Sequence, residues 1–366
     1  MMLTVFFYIL VATTAIQFIY FLCFSSILFQ SKKKKATEET PVSVIICAKN
    51  EAQNLQIFVP SIINQKYANF EIVLINDASS DETLEVMKTF KEQHSNIKIV
   101  NVKNNEAFWG NKKYALTLGI KAATNEHLLF TDADCKPVST FWIQSMVQKF
   151  SNKKTIVLGY GKYKKLNTFV NLLIRFETLL TAIQYFSYAK LGSPYMGVGR
   201  NLAYTKKEFF KTNGFISHIQ VRSGDDDLFI QEAATNSNTE ICLDAKSFTI
   251  SNPPLTLKEW FRQKRRHVST SSHYKFIHLF FLGLYYFSKV LFYFSAILLF
   301  FFMSWKLITP IVGLYLISLY IVFGLSAKRL KEKNLVYFLP FLEVFLLLFQ
   351  FTIFISNTFS KPTHWK

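Results

Sequence analysis

Apolar and polar positions alternate in two distinct ways along this chain. Residues 3–29 contain no charged side chain. A helix of that length, rising about 1.5 Å per residue, is long enough to cross the roughly 30 Å hydrocarbon core of a bilayer. No basic residue precedes the run, and it is longer than a signal-peptide core, so it reads as a retained membrane helix. Three further runs of this kind fall at 281–303, 307–325 and 335–355, the first carrying Lys289 and the last Glu343. A very short turn at Lys306 separates the first two and predicts a tight hairpin.

Between the apolar ends the pattern shortens. "PVSVIICA", "FEIVLIND", "NIKIVNV" and "EHLLFTDAD" are strand-length apolar runs rich in β-branched residues. "EAQNLQIFVPSIINQ", "DETLEVMKTFKEQ" and "NKKYALTLGIKAA" sit between them with helical spacing. Alternation of strand and helix predicts an α/β fold, a mostly parallel sheet flanked by helices. The expected division is a membrane helix at 1–30, a basic linker at 31–40, the α/β domain at 41–252, a basic amphipathic juxtamembrane segment at 253–280, and three membrane helices. "LNTFVNLLIRFETLLTAIQYFSYAKLG" is an apolar-rich helix with scattered charges. It reads either as lying on the membrane and framing a lipid's approach, or as ordinary core packing.

The net charge of +18 admits nucleic-acid or membrane contact. Its placement decides for the membrane: Lys32, Lys33, Lys34 and Lys35 follow the first span, and "AKRLKEKN" lies between the third and fourth. Both clusters flank spans, where an anionic leaflet attracts them, so no nucleic-acid partner is expected. With both on the inner side, the α/β domain is cytoplasmic and the protein sits in a bacterial-type inner membrane. Lys361 and Lys366 then lie on the disfavoured side. Cys23, Cys47, Cys135 and Cys242 show no CxxC spacing and read as reduced thiols.

In open α/β sheets, ligands bind beyond the carboxyl ends of the strands. Asp77, Asp132 and Asp134 all fall at such ends. Asp132 and Asp134 are two apart, and paired carboxylates repel unless a cation sits between them. Hard oxygen ligands suit Mg²⁺ or Mn²⁺, which bind through one or two carboxylates and substrate phosphates. The sequence holds neither GxGxxG nor a Walker-type GK[ST], so a metal would neutralise a bound diphosphate. Asp81 in "SSDET" reads as a cap. In "SGDDDLF", Asp225, Asp226 and Asp227 open an apparent helix. Acidic first turns suit the helix dipole, but three exceed what capping needs, so one is a candidate general base. Arg262, Lys264, Arg265, Arg266 and His267 precede the membrane; they read as a juxtamembrane anchor or as a clamp on a leaving diphosphate.

With these residues in view, the chain resembles a membrane-bound family 2 glycosyltransferase of GT-A fold, from about residue 41 to 267. "VSVIICAKNEAQNL" resembles the family's first strand and turn, "VLINDASSDET" its D-[GDA]-S-x-D-x-T element, and "NKKYALTLGI" its K-x-x-A-L-N-x-G helix. "FTDAD" resembles the DxD motif, "MGVGRNLAYTK" the acceptor strand carrying Asn201, and "SGDDDLF" the [ED]-D motif. The resemblance implies that Asp77 reads the nucleobase, with a UDP-sugar as the expected donor. It implies that Ala48 and Glu51 line the nucleoside pocket and that Lys112 lies near the nucleotide. Asp132 would touch ribose or sugar, and Asp134 would hold Mn²⁺ or Mg²⁺. Asp226 matches the base and Asp225 the acid before it. Gln263 and Arg266 fit the Q-x-x-R-W of processive relatives, but His267 stands where that tryptophan would be. Together with Arg265 and Asn201 they form the expected diphosphate and acceptor set. The departure favours inverting transfer of one hexose to a membrane-embedded lipid over polymer synthesis. A transporter built on Lys289 and Glu343, or a non-catalytic scaffold, is the alternative from another class.

Overall fold

The computed structural model describes residues 1–29, 40–103, 112–221 and 223–360. The basic linker with Lys32 to Lys35, Asn111, Arg222, Lys361 and Lys366 lie outside them. The predicted strands appear as β1 (Val42–Ala48), β2 (Phe70–Asp77), β3 (Ile97–Val102) and β4 (His127–Asp132). After them come β5 (Cys135–Pro137), β6 (Ile156–Leu158), β7 (Gly161–Tyr163), β8 (Leu202–Thr205), β9 (Thr239–Ile241) and β10 (Thr249–Ser251). The main sheet has the order β3-β2-β1-β4-β8-β6-β9. Its neighbours are parallel except where β8 meets β4 and β6. A small second sheet, β5-β10-β7, stands at its carboxyl edge and was not legible as strands in the sequence.

The helices are α1 (Met2–Ser25), α2 (Ala52–Ile63), α3 (Thr83–Gln93), α4 (Lys112–Ala122), α5 (Trp142–Val147) and α6 (Phe169–Lys190). They continue with α7 (Lys206–Lys211), α8 (Asp227–Ala233), α9 (Leu257–Val268), α10 (Phe276–Phe302), α11 (Trp305–Arg329) and α12 (Leu339–Phe359). Side chains alternate across a strand, so β1 serves both faces. Val44 and Ile46 pack with Leu55, Met87 and Trp142 of α2, α3 and α5. Ile45 packs on the opposite side with Ala115 and Ile120 of α4. There the helix approaches closely: a Cβ at Gly119 would lie 2.1 Å from the Ile75 side chain.

Helices α1, α10 and α11 and the stretch Lys333–Phe359, which contains α12, are long and apolar enough to cross a membrane. The hairpin between α10 and α11 is as tight as expected, but α10 starts at Phe276, inside the stretch read as juxtamembrane. The core on the α4 side is continuous with this bundle: Phe24, Phe176, Tyr315 and Phe323 belong to one buried cluster. Of the two readings of α6, packing prevails, since it is buried between the sheet and helices α1 and α12. Lys289 pairs with Glu343 inside the bundle, and the hydroxyls of Tyr293 and Tyr315 each donate to Glu343 at 2.6 Å. Both intramembrane charges are thus satisfied by structural partners.

Candidate functional site

The register of the central strands aligns their carboxyl ends. Cys47 pairs with Asp132, and Ala48 with Asn76, the residue before Asp77. A cavity of about 310 Å³ opens there, lined by Asp77, Asp132, Asp134, Asp225, Asp226 and Asp227 among others. The sequence-distant acidic groups therefore meet in one place.

Lys112, at the start of α4, connects them. Its Nζ lies 3.1 Å from Asp132 Oδ1 and 2.9 Å from Asp225 Oδ2. Burial disfavours the ammonium, yet these two carboxylates push it well above its ordinary value. Burial likewise works to raise Asp225, and Lys112 outweighs it and holds that carboxyl low. The neighbouring Asp226 has the opposite balance. Its Oδ2 accepts from the Gly199 amide at 2.7 Å and its Oδ1 from the Asp227 amide at 2.8 Å. Burial and the charges of Asp225 and Asp227 still push it up to about 7. Two adjacent carboxyls with divergent proton affinities identify the one that can exchange a proton near neutrality.

Asp227, the third of the acidic triplet, is engaged away from the other two. Asp226 is the cap of α8, whereas Asp227 is buried and its Oδ2 accepts from Thr270 and Tyr274 hydroxyls, each at 2.6 Å. It fastens the segment between α9 and α10.

Asp132, Asp134 and Cys135 bring their ligand atoms within 4.8 Å of one another. β4 ends at Asp132, so a turn, and not strand alternation, brings the two carboxylates together. Burial and the charge of Asp132 raise Asp134. Burial also raises the Cys135 thiol, whose Sγ donates to Asp134 Oδ1 at 3.3 Å. The thiol thus orients the carboxylate, and the two hard oxygen donors fit a divalent ion such as Mn²⁺ or Mg²⁺.

At the nucleoside end, Asp77 is buried and raised by that burial. Glu51 and Lys49 line the same wall. Ala48 does not: strand alternation turns it into the α2 core, and Cys47 and Lys49 face the cavity instead. Asp81 is not the cap of α3, which is Glu82; it lies one residue before it and serves the turn, accepting from the Thr83 amide at 3.0 Å and the Ala52 amide at 3.3 Å.

From α9, Gln263, Lys264, Arg266 and His267 reach the cavity. Arg265 points the other way, donating to Asn357 Oδ1 at 2.8 Å and Ser360 Oγ at 2.8 Å at the end of α12. Helical spacing puts it on the outer face, so it is not part of a phosphate clamp. Asn201 is also withdrawn from the expected set. It is fully buried, accepts from Trp142 Nε1 at 3.0 Å, and donates to the carbonyls of Tyr160 and Ser247 at 3.0 and 2.8 Å. Every polar atom of its side chain is committed to scaffold.

The residue before it, Arg200, was not singled out. Its guanidinium lies 4.4 Å from the Tyr163 ring centroid, and it lines the cavity beside Asp134. Gly161 makes this possible, because a Cβ there would lie 2.5 Å from the arginine side chain. The signal was a basic residue next to a motif asparagine. Its direction depends on β7, which is too short to read from sequence.

Residues 43–215 match the sequence model of glycosyl transferase family 2. A 93-residue stretch is 36% identical to the poly-beta-1,6-N-acetyl-D-glucosamine synthase of Staphylococcus epidermidis, over 25% of this chain and 21% of that protein. A 199-residue stretch is 25% identical to the 4,4'-diaponeurosporenoate glycosyltransferase of Staphylococcus haemolyticus, over 51% of each. The matches thus span about half or less of these two relatives. Among solved structures, the mannosyltransferase PcManGT from Pyrobaculum calidifontis, in complex with GDP-Man and Mn2+, superposes with TM-score 0.60 and 15% identity. That likeness covers 91% of this chain and 96% of the other, and it is one of fold.

Proposed function

Residues 43–215 are a family 2 glycosyltransferase domain of GT-A fold, and from that premise we propose that the protein transfers one hexose, with inversion, from a UDP-sugar to a membrane-embedded lipid. The observation that carries this reading is the bridge made by Lys112. One ammonium joins the metal-side Asp132 to Asp225, next to the proton-exchanging Asp226. Donor edge and base are parts of one charge network.

In this reading Asp77 and Glu51 hold the nucleoside, and Asp132 and Asp134 would hold a divalent ion, whose charge would offset that of the diphosphate. Arg200 and Arg266 attract the same diphosphate. The acceptor hydroxyl oxygen attacks the anomeric carbon, the bond from that carbon to the diphosphate oxygen breaks, and its electron pair leaves with UDP. Asp226 takes the hydroxyl proton. Direct displacement from the opposite face inverts the anomeric centre. The apolar helices at both ends support a membrane acceptor, and the cytoplasmic placement of the domain rests on the flanking lysines. His267, in place of an aromatic acceptor platform, favours a single transfer. The likeness to a polysaccharide synthase keeps polymer formation as the second reading.

The test is incubation of membranes containing the protein with labelled nucleotide sugars, followed by lipid extraction. One labelled lipid bearing a single sugar is expected. Label in a long polymer selects the second reading, and no label from any donor refutes both.

A further inference from the structure

The cavity extends past the acidic cluster to a wall assigned to nothing so far. Glu177, Thr178 and Thr181 of α6 lie at helical spacing on one stripe facing the cavity. Lys264 of α9 faces the stripe, its Nζ 2.6 Å from Glu177 Oε2, and the Thr181 hydroxyl donates to Glu177 Oε1 at 3.0 Å. Neither Asp77 nor the metal-side carboxylates lie on this helix. α6 also contacts α1 and α12, so one helix borders both the cavity and the apolar bundle.

Charge narrows what can bind there. The cavity is lined by eight acidic side chains and, besides His267, by five lysines and arginines among the described residues. A donor diphosphate and one divalent ion add opposite and nearly equal charge, so the excess of acid persists in the loaded site. Lys264 is paired with Glu177, and the charges of Asp225 and Asp132 act on Arg266. A phosphate or carboxylate head would therefore enter against net repulsion, whereas hydroxyl groups meet carboxylate, hydroxyl and ammonium partners.

We propose that Glu177, Thr181 and Lys264 form an acceptor-head subsite, and that the acceptor is a neutral lipid with a polyhydroxylated head, of sugar or glycerol type. This rests on the glycosyltransferase reading. One head hydroxyl supplies the attacking oxygen and gives its proton to Asp226, and its neighbours bind Glu177 and Lys264. UDP leaves with the electrons of the broken glycosidic bond.

The experiment uses the full chain in neutral nanodiscs with Mn²⁺ and a panel of UDP-sugars, reading released UDP. Four acceptor probes are compared: monooleoylglycerol, dodecyl glucoside, farnesyl phosphate and oleate. Monooleoylglycerol or dodecyl glucoside should accelerate UDP release, with the product carrying the added sugar. Glu177→Ala should raise the KM of that probe at least tenfold, as expected for lost hydrogen bonds to a charged group. Glu177→Gln, which keeps the shape, should fall between. Mn²⁺–UDP affinity by calorimetry should not move in either variant, whereas a purely structural pair would disturb both sites together. Faster release with farnesyl phosphate or oleate overturns the neutral head while leaving the glycosyltransferase reading intact. So does UDP release that no probe accelerates. Absence of any Mn²⁺–UDP binding overturns both readings and is distinguishable from either of those results.

Discussion

Replacing Asp226 by asparagine should make the protein more stable and nearly inactive at the same pH. The carboxyl is held at about 7, against an ordinary 3.8, by burial and by Asp225 and Asp227. That displacement corresponds to about 4 kcal/mol of extra cost for ionising it in the folded protein. The unfolded chain releases the same proton near pH 4, so between about 4 and 7 the folded state binds more protons. Stability from this group therefore falls as pH rises through that window, and the penalty is fully present above it. Asn removes the penalty but supplies only one acceptor oxygen. Either the Gly199 or the Asp227 amide, each now bonded to a separate oxygen, loses its partner. A buried donor without a partner costs about 1–3 kcal/mol. The variant should be less stable than wild type by about that amount at pH 4, and more stable by roughly 1–3 kcal/mol at pH 8. Without added metal, the melting temperatures of the two proteins should cross as pH rises. Transfer should fall by about 10²–10⁴, the usual worth of a positioned base. A variant that is less stable at pH 8 than at pH 4, relative to wild type, would falsify the raised proton affinity. A rate loss under tenfold would remove Asp226 as the base.

Chelation should abolish transfer, and Mn²⁺ or Mg²⁺ should restore it; Asp134→Asn should be inactive with an unchanged or higher melting temperature, since burial and Asp132 already disfavour its charge. Asp227→Ala should lower stability by about 3 kcal/mol, because the hydroxyls of Thr270 and Tyr274 lose a charged acceptor; melting within a degree of wild type would show that the segment holds without it. A topology reporter inserted near Lys331 should read the cytoplasmic side and one at the C-terminus the opposite side; the same side for both would refute the paired-cluster argument for orientation.

Much of this was legible because local signals and global fold agree. The four leading strands are short apolar runs whose polar ends mark the binding edge, so Asp77, Asp132 and Asp134 could be placed together before any contact was known. The acidic triplet marked a candidate base, and the resemblance to family 2 glycosyltransferases singled out Asp226 within it. What could not be read was direction. Ala48 and Arg265 sit in the right motifs but face away, one by strand alternation and the other by its angle on α9. Asn201 was expected at the acceptor, and its amide is instead consumed by Trp142, Tyr160 and Ser247, residues distant in sequence. Arg200 and Glu177 were invisible for the converse reason. Each reaches the cavity only because of short strands or helix packing that carry no periodic signal.

The loop between α11 and α12 shows how one sequence feature serves two ends. "AKRLKEKN" reads as a topology signal through its lysines, yet its acidic residue, Glu332, is only 1% exposed. It pairs with Arg175 of α6 and lies 3.7 Å from Lys162 of β7. Lys162 is flanked by Gly161 and Tyr163, the two residues that make room for Arg200 and lie under it. Removing one partner from a buried ion pair costs about 3–5 kcal/mol, so such a cluster is a firm connection, even though its net worth against an apolar packing is small. On the other wall, Trp260 of α9 stacks on Phe349 of α12 with centroids 4.0 Å apart, and Arg265 ties the same two helices. Both the strand that positions Arg200 and the helix that carries Lys264 and Arg266 are therefore braced by the C-terminal membrane elements. The membrane helices do more than anchor the domain: a fragment cut before Phe276 would retain the acidic cluster on the sheet but lose the supports that hold the opposing cations against it.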